Sequence, residues 1–130
     1  MRRVAVVALV MATAAIIGQV IYTRLIATGF PQSAHVKLEA SCALVILVVG
    51  LVSGAFLASW REVTLVSLLV AVSFSTFATL EIVATIPAAT HLFLFWTVTT
   101  VYWTAWGFLA LAAGRLIRLD IQRLRGPSPD

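Results

Sequence analysis

Four long stretches of apolar residues, separated by short polar breaks, dominate this sequence. An α-helix rises about 1.5 Å per residue, so roughly 20 consecutive apolar residues cross the hydrocarbon core of a bilayer. The stretches that reach this length are residues 4–27, 34–59, 62–86 and 92–116. The pattern therefore predicts an all-α integral membrane protein, a single domain built as a four-transmembrane-helix bundle, with a short tail at residues 117–130.

The breaks between the stretches contain turn and capping signals. Residues 29–31 predict a turn, and Ser33 is the expected N-cap of the second helix. Residues 60–62 predict a polar corner between the second and third helices. Pro87 is expected to end the third helix, and Thr90 to cap the fourth.

Composition strengthens the membrane assignment. The chain is 62% hydrophobic and 11% charged, with a mean hydropathy of +1.06, whereas soluble domains are about half apolar and a quarter charged. These values exclude a water-soluble enzyme, a disordered tail and a nucleic-acid module. The expected surroundings are a lipid bilayer, and the expected location is the cell membrane, crossed several times.

The charged residues predict an orientation. The net charge is +4, and seven of the nine lysine and arginine residues fall on one side of the predicted bundle. Arg24 and Lys37 fall on the other side. Because basic residues concentrate in cytoplasmic segments, both termini are predicted to be cytoplasmic. The seven residues are Arg2, Arg3, Arg61, Arg115, Arg118, Arg123 and Arg125.

Small residues recur at a four-residue spacing on several predicted helices. The second has Gly50 and Gly54, and the fourth has Ala110 and Gly114. Such pairs allow helices to approach closely, which predicts tight packing inside the bundle; homo-oligomerisation is the alternative. Cys42 is the single cysteine and lies in an apolar run, so it is expected to be a packing residue.

An ionisable side chain within a span is the main functional signal. Glu81 lies about five residues inside the third span, where a charge costs about 2.5–3.5 kcal/mol and marks a functional candidate. Gln19 and Tyr22, one turn apart on the first span, lie at a similar depth, as does Trp96. The alternative is structural, with Glu81 paired to Arg24 or hydrogen-bonded to Gln19 and Tyr22.

Further polar residues lie nearer the exoplasmic surface. His35 and Glu39 share a face at the start of the second span, and His91 precedes the fourth. Together with Glu81 they predict a polar pocket in the exoplasmic half; ordinary interface residues are the alternative. No metal site is predicted, because the His35–Glu39 spacing matches no zinc motif. A haem is disfavoured because both histidines lie at span ends. Whether the protein holds any cofactor is unknown from the sequence.

The fourth span is rich in aromatic residues. Tyr102 and Trp103 fall near the middle of the membrane rather than at the headgroup level, where such residues concentrate. They predict an aromatic wall for a flat or cationic lipophilic ligand; a bulky packing face is the alternative. A buried indole N–H needs an acceptor, and the expected acceptors are Thr97, Thr99, Thr100 and Thr104.

Three functions fit these residues. The first is binding of a lipophilic small molecule or of another membrane subunit, without chemistry. The second is a membrane-embedded acid/base enzyme (an isomerase, cyclase or epoxide-opening enzyme), with Glu81 as the acid and Glu39 or His35 as the base. The third is an oligomeric proton-coupled transporter using Glu81, which the apolar cytoplasmic halves disfavour. The predicted ligand-binding residues are Gln19, Tyr22, Trp96, Tyr102, Trp103 and His91.

Overall fold

Four long helices make up nearly all of the structure. The computed structural model describes residues 1–29, 31–85 and 90–126, and no strand occurs within these ranges. All four helices are long and apolar enough to cross a membrane. The chain is therefore an all-α, four-helix integral membrane protein, as the sequence predicts. The helices are α1 (Arg2–Ala27), α2 (Gln32–Ala55), α3 (Trp60–Thr85) and α4 (Leu92–Leu124).

The helices form a ring in the order α1, α2, α4, α3. Helix α4 packs against α2 and α3, and α1 packs against the same two helices from the other side. Consecutive helices are antiparallel because their connections are short, so α2 runs parallel to α4, and α1 to α3. One end of the bundle, here called the basic end, carries Arg2, Arg3, Arg61, Arg115 and Arg118. That this end faces the cytoplasm stays a prediction.

The corner between α2 and α3 lies one turn earlier than the sequence pattern predicts. Helix α2 ends at Ala55, and residues 60–62 belong to the first turn of α3. The Ser59 hydroxyl oxygen accepts a hydrogen bond from the Glu62 N–H at 3.2 Å, and Glu62 Oε2 accepts one from the Ala58 N–H at 2.6 Å. This reciprocal arrangement resembles a capping box and starts α3 directly after Ser59.

Two predicted helix caps are wrong. Ser33 lies inside the first turn of α2, whose N-cap is Pro31 at φ −56° and ψ 132°. The fixed φ of proline is compatible with this position, and no side-chain cap hydrogen bond forms there. Thr90 does not cap α4, because His91 occupies the N-cap position in the left-handed region at φ 61°.

The predicted C-terminal ends of α3 and α4 have different outcomes. Pro87, the predicted terminator of α3, lies outside the described residues, as do residues 127–130. Helix α4 continues unbroken to Leu124, about two turns beyond the predicted end of the span at residue 116. The first part of the tail is therefore a helical extension beyond the basic end.

Small residues bring α2 and α4 into backbone contact in the half of the bundle near the basic end. A Cβ placed on Gly50 would lie 2.8 Å from the Ala110 Cβ, and one on Gly54 would collide with the Leu111 carbonyl oxygen. Gly114 packs equally closely on the Leu51 backbone. The predicted packing role of these small residues is confirmed. The main core lies in the same half and consists of Val4, Val7, Ala8, Met11, Leu57, Val63, Val66 and Leu111.

The opposite half of the bundle is less densely packed. Among the described residues its core cluster is small and consists of Ala15, Phe74 and Ala78, with Trp103 packed against them. No residue is buried in the stretches 33–49 of α2 and 92–109 of α4. This half therefore has apolar surface and space that the chain itself does not fill.

Two arginines connect α4 to the corner between α2 and α3. Arg118 Nη1 donates to the Ala55 carbonyl oxygen at 2.7 Å, and Arg115 Nη1 donates to that of Leu57 at 3.2 Å. The Arg115 guanidinium also lies 5.0 Å from the centre of the Trp60 ring. The last carbonyls of a helix have no partners within it, so Arg118 satisfies a group that α2 leaves open, while Arg115 binds the connection that follows α2.

Candidate ligand-binding cleft

A cleft of about 510 Å³ lies in the loosely packed half of the bundle. Helices α1 and α2 form its sides, while α3 contributes Phe74 and α4 contributes Tyr102 and Trp103. We call it the aromatic cleft. Its lining residues are Ala15, Gly18, Gln19, Tyr22, Val36, Glu39, Ala40, Cys42, Ala43, Ile46, Phe74, Tyr102 and Trp103.

Small side chains on α1 and α2 leave this space open. Gly18 lies beside empty volume, since a Cβ placed there would meet no atom within 4 Å. Ala15 on the same helix and Ala40 and Ala43 on α2 also line the cleft. The same residue type therefore has two roles in this bundle, because Gly54 allows backbone contact whereas Gly18 leaves a cavity.

Three aromatic rings form one wall of the cleft. The Phe74 and Trp103 ring centres lie 4.9 Å apart at an interplanar angle of 60°. Tyr102 meets Trp103 edge-on, with ring centres 5.6 Å apart. Such aromatic pairs stabilise a fold by more than the burial of their apolar surface accounts for. Each ring therefore helps to fix the orientation of the next. The wall is therefore a set of mutually inclined aromatic rings that borders the cleft.

The polar residues of the cleft come from α1 and α2. Gln19 and Tyr22 are half-buried, and Glu39 is exposed. Gln19 Nε2 makes a long contact of 3.5 Å with the Thr23 hydroxyl, which leaves most of the hydrogen-bonding capacity of the amide for a ligand. Amide and phenol donors and a carboxylate acceptor therefore lie along the same space as the aromatic wall.

Glu81 lies apart from this arrangement. It is partly exposed and does not line the aromatic cleft. Within the described residues its carboxylate makes no hydrogen bond or ion pair, so the alternative contacts with Arg24, Gln19 or Tyr22 do not form. The structure thus brings Gln19, Tyr22 and Glu39 together without Glu81.

Three further predicted residues lie outside the aromatic cleft. His35 is half-buried near the start of α2, and His91 is exposed before α4. Trp96 is half-buried and its indole Nε1–H donates to the Thr76 hydroxyl at 3.1 Å.

The threonines on α4 do not act as the predicted indole acceptor for Trp96. The hydroxyls of Thr97, Thr100 and Thr104 donate to backbone carbonyls one turn earlier on the same helix. The acceptor is Thr76 on α3, twenty residues earlier in the chain. Such a contact depends on how α3 and α4 pack and has no local sequence signal.

Sequence reasoning missed Gly18 and Phe74 as cleft residues and treated Cys42 only as a packing residue. Gly18 directly precedes Gln19, so a small residue beside a polar one was an available signal. Phe74 gave no such signal, because its role depends on contact with Trp103 from another helix. In the described ranges no three histidine, cysteine or acidic side chains are close enough together to hold a metal ion.

Comparisons of this chain with protein-family models, curated proteins and solved structures find no match. The four apolar helices and the aromatic cluster define a small multi-pass membrane protein.

Proposed function

We propose that this protein binds a lipophilic small molecule in the aromatic cleft and performs no chemistry on it. The supporting observation is that one cavity is lined both by Phe74, Tyr102 and Trp103 and by the polar side chains of α1 and α2. A mostly apolar pocket with a few convergent polar groups is typical of small-molecule sites.

The dimensions and chemistry of the cleft define a class of ligand. A volume of about 510 Å³ is within the usual range for small-molecule pockets. The ligand has a flat or unsaturated apolar body that lies against Tyr102 and Trp103. Its head group carries hydrogen-bonding atoms that meet Gln19, Tyr22 and Glu39. A quinone, a pigment or a lipid with a compact head fits this description.

The two alternative functions have less support. The acid/base enzyme needs Glu81 near Glu39 or His35, but only Glu39 lines the cleft. The transporter needs polar groups that continue across the bundle. The aromatic cleft and a second cavity at the basic end share no lining residue, and the main buried core cluster is apolar and contains Met11 and Leu111.

Occupancy of the cleft can be tested with a pair of matched leucine variants. Gly18→Leu places a side chain in the empty volume, while Thr13→Leu adds the same side chain to an exposed position of α1 outside the cleft. Each protein is purified in mild detergent, and its bound lipophiles are extracted and measured by mass spectrometry and visible absorption. We expect the wild type and Thr13→Leu to retain one species that Gly18→Leu loses.

A second pair of variants separates binding from catalysis. Glu81→Gln is expected to leave occupancy unchanged, because Glu81 lies outside the cleft, whereas Glu39→Gln weakens binding by removing a charged acceptor. If the ligand carried by either variant is chemically different from that of the wild type, the protein is an enzyme. If all variants carry the same mixture of lipids, the cleft is not a specific site.

A further inference from the structure

A second cavity, of about 880 Å³, lies at the basic end between the start of α1 and the end of α2. We call it the basic groove. Arg2, Arg3 and Arg118 line it, and most of its remaining wall is apolar. The other lining residues are Val6, Val7, Val10, Val52, Ser53, Ala55 and Phe56. None of them lines the aromatic cleft.

We propose that the basic groove binds one anionic phospholipid, with its phosphate held by the three arginines and an acyl chain against the valine wall. Three cationic groups around one cavity repel each other unless an anion lies between them. In the described part of the chain the single ion pair joins Arg123 to Asp120, at 3.9 Å and on an exposed surface. No described carboxylate neutralises the arginines of the groove.

The arginines are arranged to receive a phosphate. Arg118 is held by its bond from Nη1 to the Ala55 carbonyl oxygen, and its other N–H groups can still donate to phosphate oxygens. Arg2 and Arg3 belong to the first turn of α1. The backbone N–H groups of a first turn lack partners within the helix, and the helix dipole favours an anion there. Both effects attract an anion, as do the positive charges of the guanidinium groups.

The apolar part of the groove identifies a lipid rather than a free anion. Val6, Val52 and Phe56 are 59%, 57% and 64% exposed, respectively, although they belong to or border membrane-spanning helices. A soluble phosphate would leave this wall uncovered, whereas an acyl chain covers it. If the basic end is cytoplasmic, it faces the leaflet in which anionic lipids are concentrated.

Native mass spectrometry of the detergent-solubilised protein tests the proposal. The probes are phosphatidylglycerol and phosphatidylcholine with identical acyl chains, and glycerol phosphate as the head group alone. We expect one phosphatidylglycerol to be retained on the order of 100-fold more strongly than phosphatidylcholine, the effect of three basic residues near a membrane surface. Glycerol phosphate is expected to be lost under the same conditions, because it lacks the acyl chains. Its retention to the same level would identify a phosphate site and overturn the lipid assignment.

Two double variants with the same loss of charge locate the site. Arg2→Gln with Arg3→Gln is expected to weaken retention of phosphatidylglycerol by about 30-fold, the effect of removing two basic residues near a membrane surface. Arg123→Gln with Arg125→Gln removes the same charge from the exposed end of α4 and should leave retention nearly unchanged. Equal loss in both variants would show a general charge effect and overturn the proposal.

A third variant tests the apolar part of the groove without changing charge. Val10 lies on the groove wall and is 50% exposed, so Val10→Phe fills volume while all three arginines remain. We expect this variant to retain less phosphatidylglycerol than the wild type, with the far-ultraviolet circular dichroism showing that the helices are intact. Unchanged retention would exclude the acyl chain from the groove.

Discussion

Arg118 on α4 donates a hydrogen bond of 2.7 Å from Nη1 to the carbonyl oxygen of Ala55, the last residue of α2. The two residues are 63 positions apart in the chain, and the bond is partly buried. It supplies a charged donor to a helix end whose carbonyls lack intrahelical partners. From the sequence, Arg118 indicates only the orientation of the chain in the membrane. In the structure it also links α4 to α2.

Arg118→Met should destabilise the bundle. The substitution keeps a long apolar side chain but removes the donor, and loss of a charged hydrogen bond costs about 1.5–3 kcal/mol. Thermal unfolding in detergent, followed by circular dichroism, measures the effect. The control is Arg123→Met, because Arg123 is highly exposed and makes only a 3.9 Å contact with Asp120. Equal stability of the two variants would argue against the Ala55 bond.

Gly54→Ala and Gly18→Ala should change stability in opposite directions. A Cβ at Gly54 collides with the Leu111 backbone, which cannot rotate away, so we expect destabilisation of about 1–3 kcal/mol from overpacking. A Cβ at Gly18 meets nothing within 4 Å, and replacing a helical glycine by alanine gains up to about 1 kcal/mol. Denaturant titration of both variants in the same detergent gives the comparison.

Ser59→Ala should loosen the start of α3. The Ser59 hydroxyl accepts the Glu62 N–H at 3.2 Å, and loss of an N-cap side chain costs about 0.5–2 kcal/mol. Amide hydrogen exchange should accelerate at residues 60–63, near the capped helix start, and stay unchanged in the middle of α3. Thr64→Ala is the matched control, since its hydroxyl bonds only to the Trp60 carbonyl within the helix.

Cysteine labelling should place the two ends of the bundle on opposite sides of the membrane. In a Cys42→Ser background, Thr28→Cys and Gln122→Cys each introduce a thiol at an exposed position. Because of the arginines at the basic end, we expect an impermeant maleimide to label position 28 in intact cells, and position 122 only after permeabilisation. The reverse pattern would show that the basic end faces outward.

The helices were predictable and their terminal residues less so. All four membrane-spanning helices follow from runs of apolar residues, but these runs predict the corner before α3 at residues 60–62, whereas it lies at residues 56–59. The spacing of Ser59 and Glu62 matches a capping box, and this signal predicts the observed start of α3. Ser33 and Thr90 had suitable side chains for caps, yet Pro31 and His91 occupy those positions.

The cleft was predictable only in part. Five residues that the sequence predicts as site residues line one cavity: Gln19, Tyr22, Glu39, Tyr102 and Trp103. Depth along a helix can be counted from the sequence, which predicts Gln19 and Tyr22 at one depth, Glu39 nearer the surface, and Tyr102 and Trp103 nearer the middle of the membrane. Glu81 is predicted at the depth of Gln19 and Tyr22, but depth does not tell which side of a helix faces the cavity.

The sequence by itself determined that this chain crosses a membrane four times, because a spanning helix must satisfy its backbone hydrogen bonds within its own segment. That requirement is local and can be read from the length and polarity of each segment. Only the tertiary structure decided that α2 packs on α4, that Arg118 reaches Ala55, and that Glu81 lies outside the cleft. Helices that are apolar on every side give little indication of which face meets a neighbour, so close packing of small residues such as Gly54 sets their rotation and pairing.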